Sequence, residues 1–501
     1  MIDDRARLQH ALRTGAEVIA ADLSSDSIPS ELVRSVLVEE AVVHEGKYLD
    51  PRGLRLTGVT LEGNLDLANM HHLPEMVLGN VTISGHLDLS NSTINGGLNI
   101  EGGAVRAQLV GTGLRVRRHV YICAVDFGYS TDEGRTFKGM ILLSRATVGE
   151  YLQLLVDVDD VILSDARVGG GNSEVDGDAV IIGLADSEFG AVDLNRASFE
   201  SSVRLEGSFS HGIAIRGVNV RGELDLASAQ VTSWIRRGRL TDEALFVDAR
   251  EAVADTFVLP RESPDSGVDL TDAKVGQLVV HVAGNDNRPV SPRIDATNGW
   301  TLESLEMINL DKRPEPSPIP RISSDEAAGL VAWLPNGGGD AFPLMAWRAL
   351  ASALDGEGRE DEGRWLRIEA VDRHKRSTAK SVWSRAGRII TKSTIGHGYS
   401  PFRALGWLAG LWAVATALAM IAWRSSKDAF ANSTDVVDPP GLWEYLYALD
   451  ITISPVGSFQ SEIWMPTWWW LALAFWVLKA ASYALFGLFI AGITGRAMKA
   501  S

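Results

Sequence analysis

The chain has 501 residues, a formal net charge of −17 and a single cysteine, Cys123. That length leaves room for two or three structural units, and that charge excludes nonspecific nucleic-acid binding by the chain as a whole. One cysteine excludes an internal disulfide framework and a cysteine-rich metal site.

The opening Met1-Ile2-Asp3-Asp4-Arg5 lacks the basic-then-apolar layout of a secretion signal. Residues 5–40 have helical periodicity, including Ile28-Pro29-Ser30-Glu31-Leu32-Val33 and on to Val38. Residues 1–50 are therefore expected to form a helical cap.

A short phrase then recurs. The stretch "GHLDLSNSTINGGLNI", residues 85–100, contains it twice, 11 residues apart, and Gly63-Asn64-Leu65-Asp66-Leu67 precedes it by 22. Gly222-Glu223-Leu224-Asp225-Leu226 is a later copy, and Gly190-Ala191-Val192-Asp193-Leu194 a looser one. Apolar–polar alternation over four or five residues marks a half-buried strand, with glycine at the turns. Strands this short are stable only when stacked, so residues 51–285 are expected to form a parallel β-solenoid. Leu65, Leu67, Leu87, Leu89, Leu98, Ile100, Leu224 and Leu226 would fill its interior, with Asp66, Asp88, Asn99 and Asp225 outside. An outward carboxylate ladder suggests calcium, but calcium needs six to eight converging oxygens and the pattern shows no convergence. A solvated face is the simpler reading.

"YSTDEGRTFKG" and "GGGNSEVDGD" read as surface insertions, and residues 286–340, with "GNDNRPVSPR" and "DKRPEPSPIPR", as a Pro-rich linker. Residues 341–375 have the pattern of two amphipathic helices around Asp355-Gly356-Glu357-Gly358, a helical-hairpin neck. Residues 376–403 form a basic juxtamembrane segment. From Arg373 to Arg403 the chain carries eight Lys or Arg and no acid, which suits an anionic inner leaflet better than nucleic acid, since no aromatic platform accompanies it.

Residues 404–423 are uncharged and long enough to cross a bilayer once. Gly406 and Gly410 form a Gly-x-x-x-Gly pair suited to close helix packing. A second apolar run, residues 463–495, is broken only by Lys479, which either pairs with an acid such as Asp450 or snorkels to an interface. Residues 424–462, between the spans, carry two basic and six acidic residues, whereas both outer flanks are basic. The positive-inside rule then predicts a multi-pass cell-membrane protein with its N-terminal domain and C-terminus in the cytoplasm. Within the connecting segment, "LWEYLYALDITISPVGSFQ" has the order of an apolar half-helix followed by a turn at Ser454-Pro455-Val456-Gly457. The order is that of a re-entrant loop of a two-span ion channel, with Asp450, Ser454, Pro455, Gly457 and Lys479 as pore candidates, but the Thr-Val-Gly-Tyr-Gly filter is absent, and an interfacial helix on the outer leaflet is the favoured reading of the same residues.

"IPSELVRSVLVEE", "LRLTGVTLEGNLDL", "RIDATNGWTLESLE", "WRALASALDGEGREDEGRWLRIEA", "GHGYSPFRALGWLAGLW" and "LYALDITISPV" occur in an order that resembles one actinobacterial group, two-span membrane proteins often labelled "membrane-associated oxidoreductase". The resemblance covers nearly the whole chain and implies an oxidoreductase activity, without residues to carry it. A dinucleotide site needs a strand, a Gly-x-Gly-x-x-Gly turn and a helix in one unit, and "GGGNSEVDG" lies among strands instead. Cys123 reads as a packing residue, and His71, His72 and His86 as surface residues rather than metal ligands. The sequence thus predicts a mainly β protein without an assignable cofactor, catalytic residue or metal site. Its expected role is a scaffold that self-associates at an anionic membrane and engages a cytoplasmic protein partner, with an oligomeric ion channel as the alternative.

Overall fold

The computed structural model describes residues 2–43, 49–130, 136–169, 180–183, 188–210, 212–231, 245–261, 267–283, 288–291, 293–297, 299–310, 334, 344–378, 389, 402–432, 441–452 and 460–497. The chain divides into two compact units, Met1–Gly363 and Arg364–Ser501.

The first unit is mainly parallel β-sheet. Alternation of apolar and polar residues makes each short strand one-sided, and parallel pairing places the apolar sides in register. Leu65 pairs with Leu87, Leu87 with Leu109, Leu109 with Ile141, and the same row continues through Val161, Val192, Ile213, Val247 and Val268 to Ile294. Every residue of this row is buried. A second row runs Leu54, Met76, Leu98, Val120, Leu152, and later Leu224, Phe257, Leu278 and Leu305. Burying each such side chain contributes roughly 1.5–3 kcal/mol. The backbone repeats the same register: Leu65 N–H donates to the His86 carbonyl at 2.9 Å and Leu87 N–H to that of Gln108 at 3.0 Å.

The aspartates of the repeat are turn residues. Asp66 accepts from Ala68 N–H at 3.0 Å, Asp88 from Ser90 at 2.9 Å, Asp193 from Asn195 at 2.9 Å, and Asp269 from Thr271 at 2.9 Å. In each case the residue three positions on (Asn69, Asn91, Arg196, Asp272) takes a left-handed conformation, φ between 55° and 60°. The carboxylate thus ends the strand with an Asx turn, and the chain bends at the next left-handed residue. Glycine is demanded where backbones crowd: a Cβ on Gly103, at φ +77°, would stand 2.1 Å from the Val81 carbonyl oxygen.

The parallel ladder extends past residues 51–285 at both ends. Glu17–Ile19 and Ser27–Pro29 pair with Leu54–Thr57 and Thr60–Glu62, and Arg293–Ala296 and Thr301–Asn309 continue it on the far side. The N-terminal segment is therefore not purely helical, and the segment read as linker contains three paired strands among the described residues, Arg288–Pro289 pairing antiparallel with Lys274–Ala283. Two antiparallel hairpins interrupt the pattern among the described residues; one joins Val120–Ser130 to Thr136–Lys138 at the first expected insertion. The second expected insertion, "GGGNSEVDGD", lies outside the described residues from position 170 onward.

Helices cover both ends. At the start, α1 (Ile2–Thr14) is tied to the helical segment Val38–Val43 that directly continues α2 (Ser30–Leu37) by Arg13, whose guanidinium holds Glu40 at 2.6 and 2.9 Å, and by Arg5 with Glu39 at 2.6 Å. At the end, α3 (Leu344–Gly356) buries Ala346, Trp347, Leu350 and Leu354, and just after it the Glu357 carboxylate accepts from Leu305 N–H at 2.5 Å. Helix α3 therefore closes the last strand. Helix α4 (Glu360–Thr378) follows, and in it Arg373 and Arg376 of the basic segment pair one turn back with Glu369 and Asp372. Residues 379–388 and 390–401, most of that segment, lie outside the described residues.

The second unit holds α5 (Phe402–Ser425), α6 (Trp443–Thr452) and α7 (Trp469–Ala497), with an antiparallel pair formed by Phe430–Asn432 and Trp464–Pro466. Two helical stretches, Ala404–Ser425 and Trp469–Gly487, are long and apolar enough to cross a membrane. The second helix starts at Trp469 rather than Ile463, because Trp464–Pro466 is taken into the strand pair.

Candidate membrane-embedded site

Helix α5 presents Ala415, Ala419 and Ala422 on one face, all buried, at the i, i+4, i+7 spacing of a single stripe. Small side chains permit close approach, and they share one core with Trp443, Tyr447, Ala448 and Ile451 of α6 and Leu471 and Phe475 of α7. Helix α6 thus packs along both long helices.

Its contacts fix its course. At its first turn Trp443 meets Trp423 edge-on at 5.2 Å and Trp464 at 5.3 Å, where α5 ends and just before α7 begins. One turn on, Tyr447 meets Phe475 at 5.1 Å. At its last turn the Ile451 carbonyl accepts from Ser482 Oγ at 3.3 Å. Ser482 follows Trp469 by 13 residues, which is about 20 Å along α7. On α5, Trp412 Nε1 donates to the Tyr445 carbonyl at 3.2 Å, well before the helix ends at Ser425. The chain then returns: Asp450 Oδ2 accepts from Ser461 N–H at 3.1 Å, Gln460–Ile463 makes one helical turn, and Trp464–Pro466 pairs back at the starting side.

Of the residues singled out from sequence, Asp450 is buried at the foot of α6. Lys479 is half-buried on α7, ten residues from Trp469, and no ion pair joins it to Asp450 among the described residues. Ser454, Pro455 and Gly457 lie outside the described residues. Gly406 and Gly410 are exposed on α5, with open space where a Cβ would stand, so neither packs against another element among the described residues. The alanine stripe does that work, and its spacing was there to be read between residues 415 and 422. Ser482, a lone hydroxyl in an apolar run, was the other available signal.

In the first unit, His71, His72 and His86 are exposed, and among the described residues no group of three or more His, Cys, Asp or Glu is arranged to hold a metal ion. Cys123 stands half-buried on the outward row, hydrogen-bonded to Tyr121. That bond first, and burial second, push the Tyr121 hydroxyl up to about 12.

The chain matches no protein family, no curated protein and no solved structure.

Proposed function

We propose that this is an oligomeric membrane protein with a cation pathway built around the α6 re-entrant segment and carrying a β-solenoid scaffold in the cytoplasm. The observation that carries the reading is the course of α6. A helix lying on the outer leaflet would touch only the ends of α5 and α7, whereas the Ile451 carbonyl of α6 accepts from Ser482, which in a hydrocarbon core about 30 Å thick entered at Trp469 would stand beyond its middle. Helix, re-entrant half-helix and helix is the plan of simple cation channels. The acidic excess between the spans would concentrate cations at the mouth.

The solenoid assignment rests on the parallel pairing of strands 22 residues apart and on the continuous buried rows. The cytoplasmic orientation rests on the basic flanks. Self-association is supported by the exposed Gly406 and Gly410. The resemblance to the actinobacterial two-span group is supported by the two apolar helices alone; that group's oxidoreductase label calls for a flavin, nicotinamide or metal that copurifies with the protein.

The test is cation flux in liposomes containing the purified protein, together with its mass in mild detergent. Flux reduced by Asp450→Asn from an assembly of three or more chains supports the pathway. A monomer or dimer without flux leaves the membrane-anchored scaffold as the function.

A further inference from the structure

One outward row of the parallel ladder reads Thr93, Arg115, Thr147, Arg167 and Ser198, each paired with the next. Val116, Val148 and Val168 beside it are buried, whereas Arg115, Thr147 and Arg167 are exposed, so the row faces solvent. Paired strands lie about 4.8 Å apart, which sets the backbones of Arg115 and Arg167 about 10 Å apart with Thr147 midway. Two more arginines border the same threonine. Arg117 is the next exposed residue after Arg115, and Arg145 stands two residues before Thr147 on the turn, left-handed at φ 57°.

Among the described residues none of these four arginines forms an ion pair, although Arg106, Arg118, Arg196 and Arg221 nearby in the chain all do. The flanking acids are taken by those other side chains: Glu150 lies 3.5 Å from Arg118, Asp165 2.8 Å from Arg196 and Glu200 2.5 Å from Arg221. Four guanidiniums grouped around one hydroxyl without a carboxylate repel one another, and a bound anion relieves that repulsion. The floor beside them is bare. A Cβ on Gly149 would stand 2.1 Å from the Arg117 carbonyl oxygen, and one on Gly169 2.9 Å from that of Gly149. Glycine at these two positions lets a ligand lie against the backbone.

Guanidinium forks match phosphate oxygens, and the threonine hydroxyl adds a donor. Four cations outnumber the charge of about −2 on one phosphate group and suit a chain of several. The row has no aromatic ring on which a nucleic-acid base could stack.

We propose that this face binds a soluble oligophosphate, a chain of three or more linked phosphates, held by Arg115, Arg117, Arg145 and Arg167 over the Thr147 hydroxyl and the glycine floor. The site lies wholly in the first unit and does not depend on the ion-pathway reading.

The test uses full-length protein in detergent without divalent cations, with tripolyphosphate, orthophosphate, poly-uridylate and short-chain phosphatidylglycerol as probes, read by titration calorimetry. Saturable binding of tripolyphosphate is expected, about tenfold or more tighter than that of orthophosphate. Arg115→Gln with Arg167→Gln is expected to weaken it at least about tenfold, with Tm unchanged because both positions are exposed. Thr147→Val is expected to weaken it several-fold. Lys380→Gln with Arg385→Gln, in the basic segment, should leave it unchanged. Absence of saturable binding, or binding lost in the second pair of substitutions and kept in the first, overturns the site. Poly-uridylate or phosphatidylglycerol binding more tightly than tripolyphosphate, in a way that Arg115→Gln with Arg167→Gln abolishes, overturns the ligand class.

Discussion

The hydroxyl of Ser482 donates to the backbone carbonyl of Ile451 over 3.3 Å, and also to the Lys479 carbonyl one turn back at 2.8 Å. Ile451 sits near the C-terminus of α6, where the last carbonyls have no partner within the helix. One side chain of a long apolar helix thus anchors the last turn of α6. In a Cys123→Ser background, Ile451→Cys with Ser482→Cys is expected to form an oxidative cross-link within one chain. Ser482→Ala is expected to lower stability in detergent by about 1 kcal/mol. Failure to cross-link, with α7 otherwise intact by circular dichroism, would detach α6 from this position.

The aspartates of the repeat are predicted to act on turns and not on ions. Asp88→Ala should destabilise the first unit by about 1 kcal/mol, the net value of one hydrogen bond. Asp88→Asn should be nearly neutral, because asparagine makes the same turn. Calcium should leave all three proteins unchanged in thermal unfolding.

The inward rows are predicted to be far less forgiving. Leu109 is 0% exposed and paired between Leu87 and Ile141. Leu109→Ala should cost about 2–5 kcal/mol in a denaturant titration, from lost burial plus the cavity left behind.

Two groups make the stability of the first unit depend on pH. Ser24 donates from hydroxyl and backbone N–H to Asp4 and holds its carboxyl below the usual range. The folded value being depressed, this stabilisation is present above the unfolded value of about 3.9 and is lost as pH falls through the folded one. Asp4→Asn should therefore lower Tm at neutral pH, with the difference closing in strong acid. His281 is buried; burial first and the Arg261 charge second hold its imidazole below its ordinary value, against a bond to the Leu259 backbone and the Asp225 charge. As pH falls through about 6.5 the unfolded chain gains a proton that the folded chain refuses, so stability drops. His281→Phe should flatten the Tm profile between about pH 7 and pH 5.

Gly410 has open space around its Cβ position. Gly410→Leu should leave the fold of one chain unchanged, yet reduce the assembly size in mild detergent by light scattering if α5 helices meet there.

The repeat made the parallel sheet legible, because Leu87-Asp88-Leu89 and its copies carry both the alternation and the turn. What the aspartates do was not legible: an Asx turn is set by backbone geometry, and from sequence alone a row of carboxylates reads as a solvated face. The terminal strands escaped notice for a different reason. Glu17–Ile19 has three residues and no glycine phrase, and Thr301–Asn309 owes its place to pairing with Lys274–Ala283. In the second unit, the half-helix from Trp443 was visible in "LWEYLYALD". Its depth was not, since that depends on Trp412, Phe475 and Ser482, distant in the chain from one another.

The hairpin that follows Val120 carries a practical consequence. The row through Val120 and Leu152 stays in register although 32 residues separate them, against 22 between Leu98 and Val120. Ten extra residues are thus absorbed sideways, without disturbing the layers above and below. A reporter or affinity tag spliced between Ser130 and Thr136 should ride on the flank of the domain, and give a handle on this protein that leaves both capping helices and the second unit untouched.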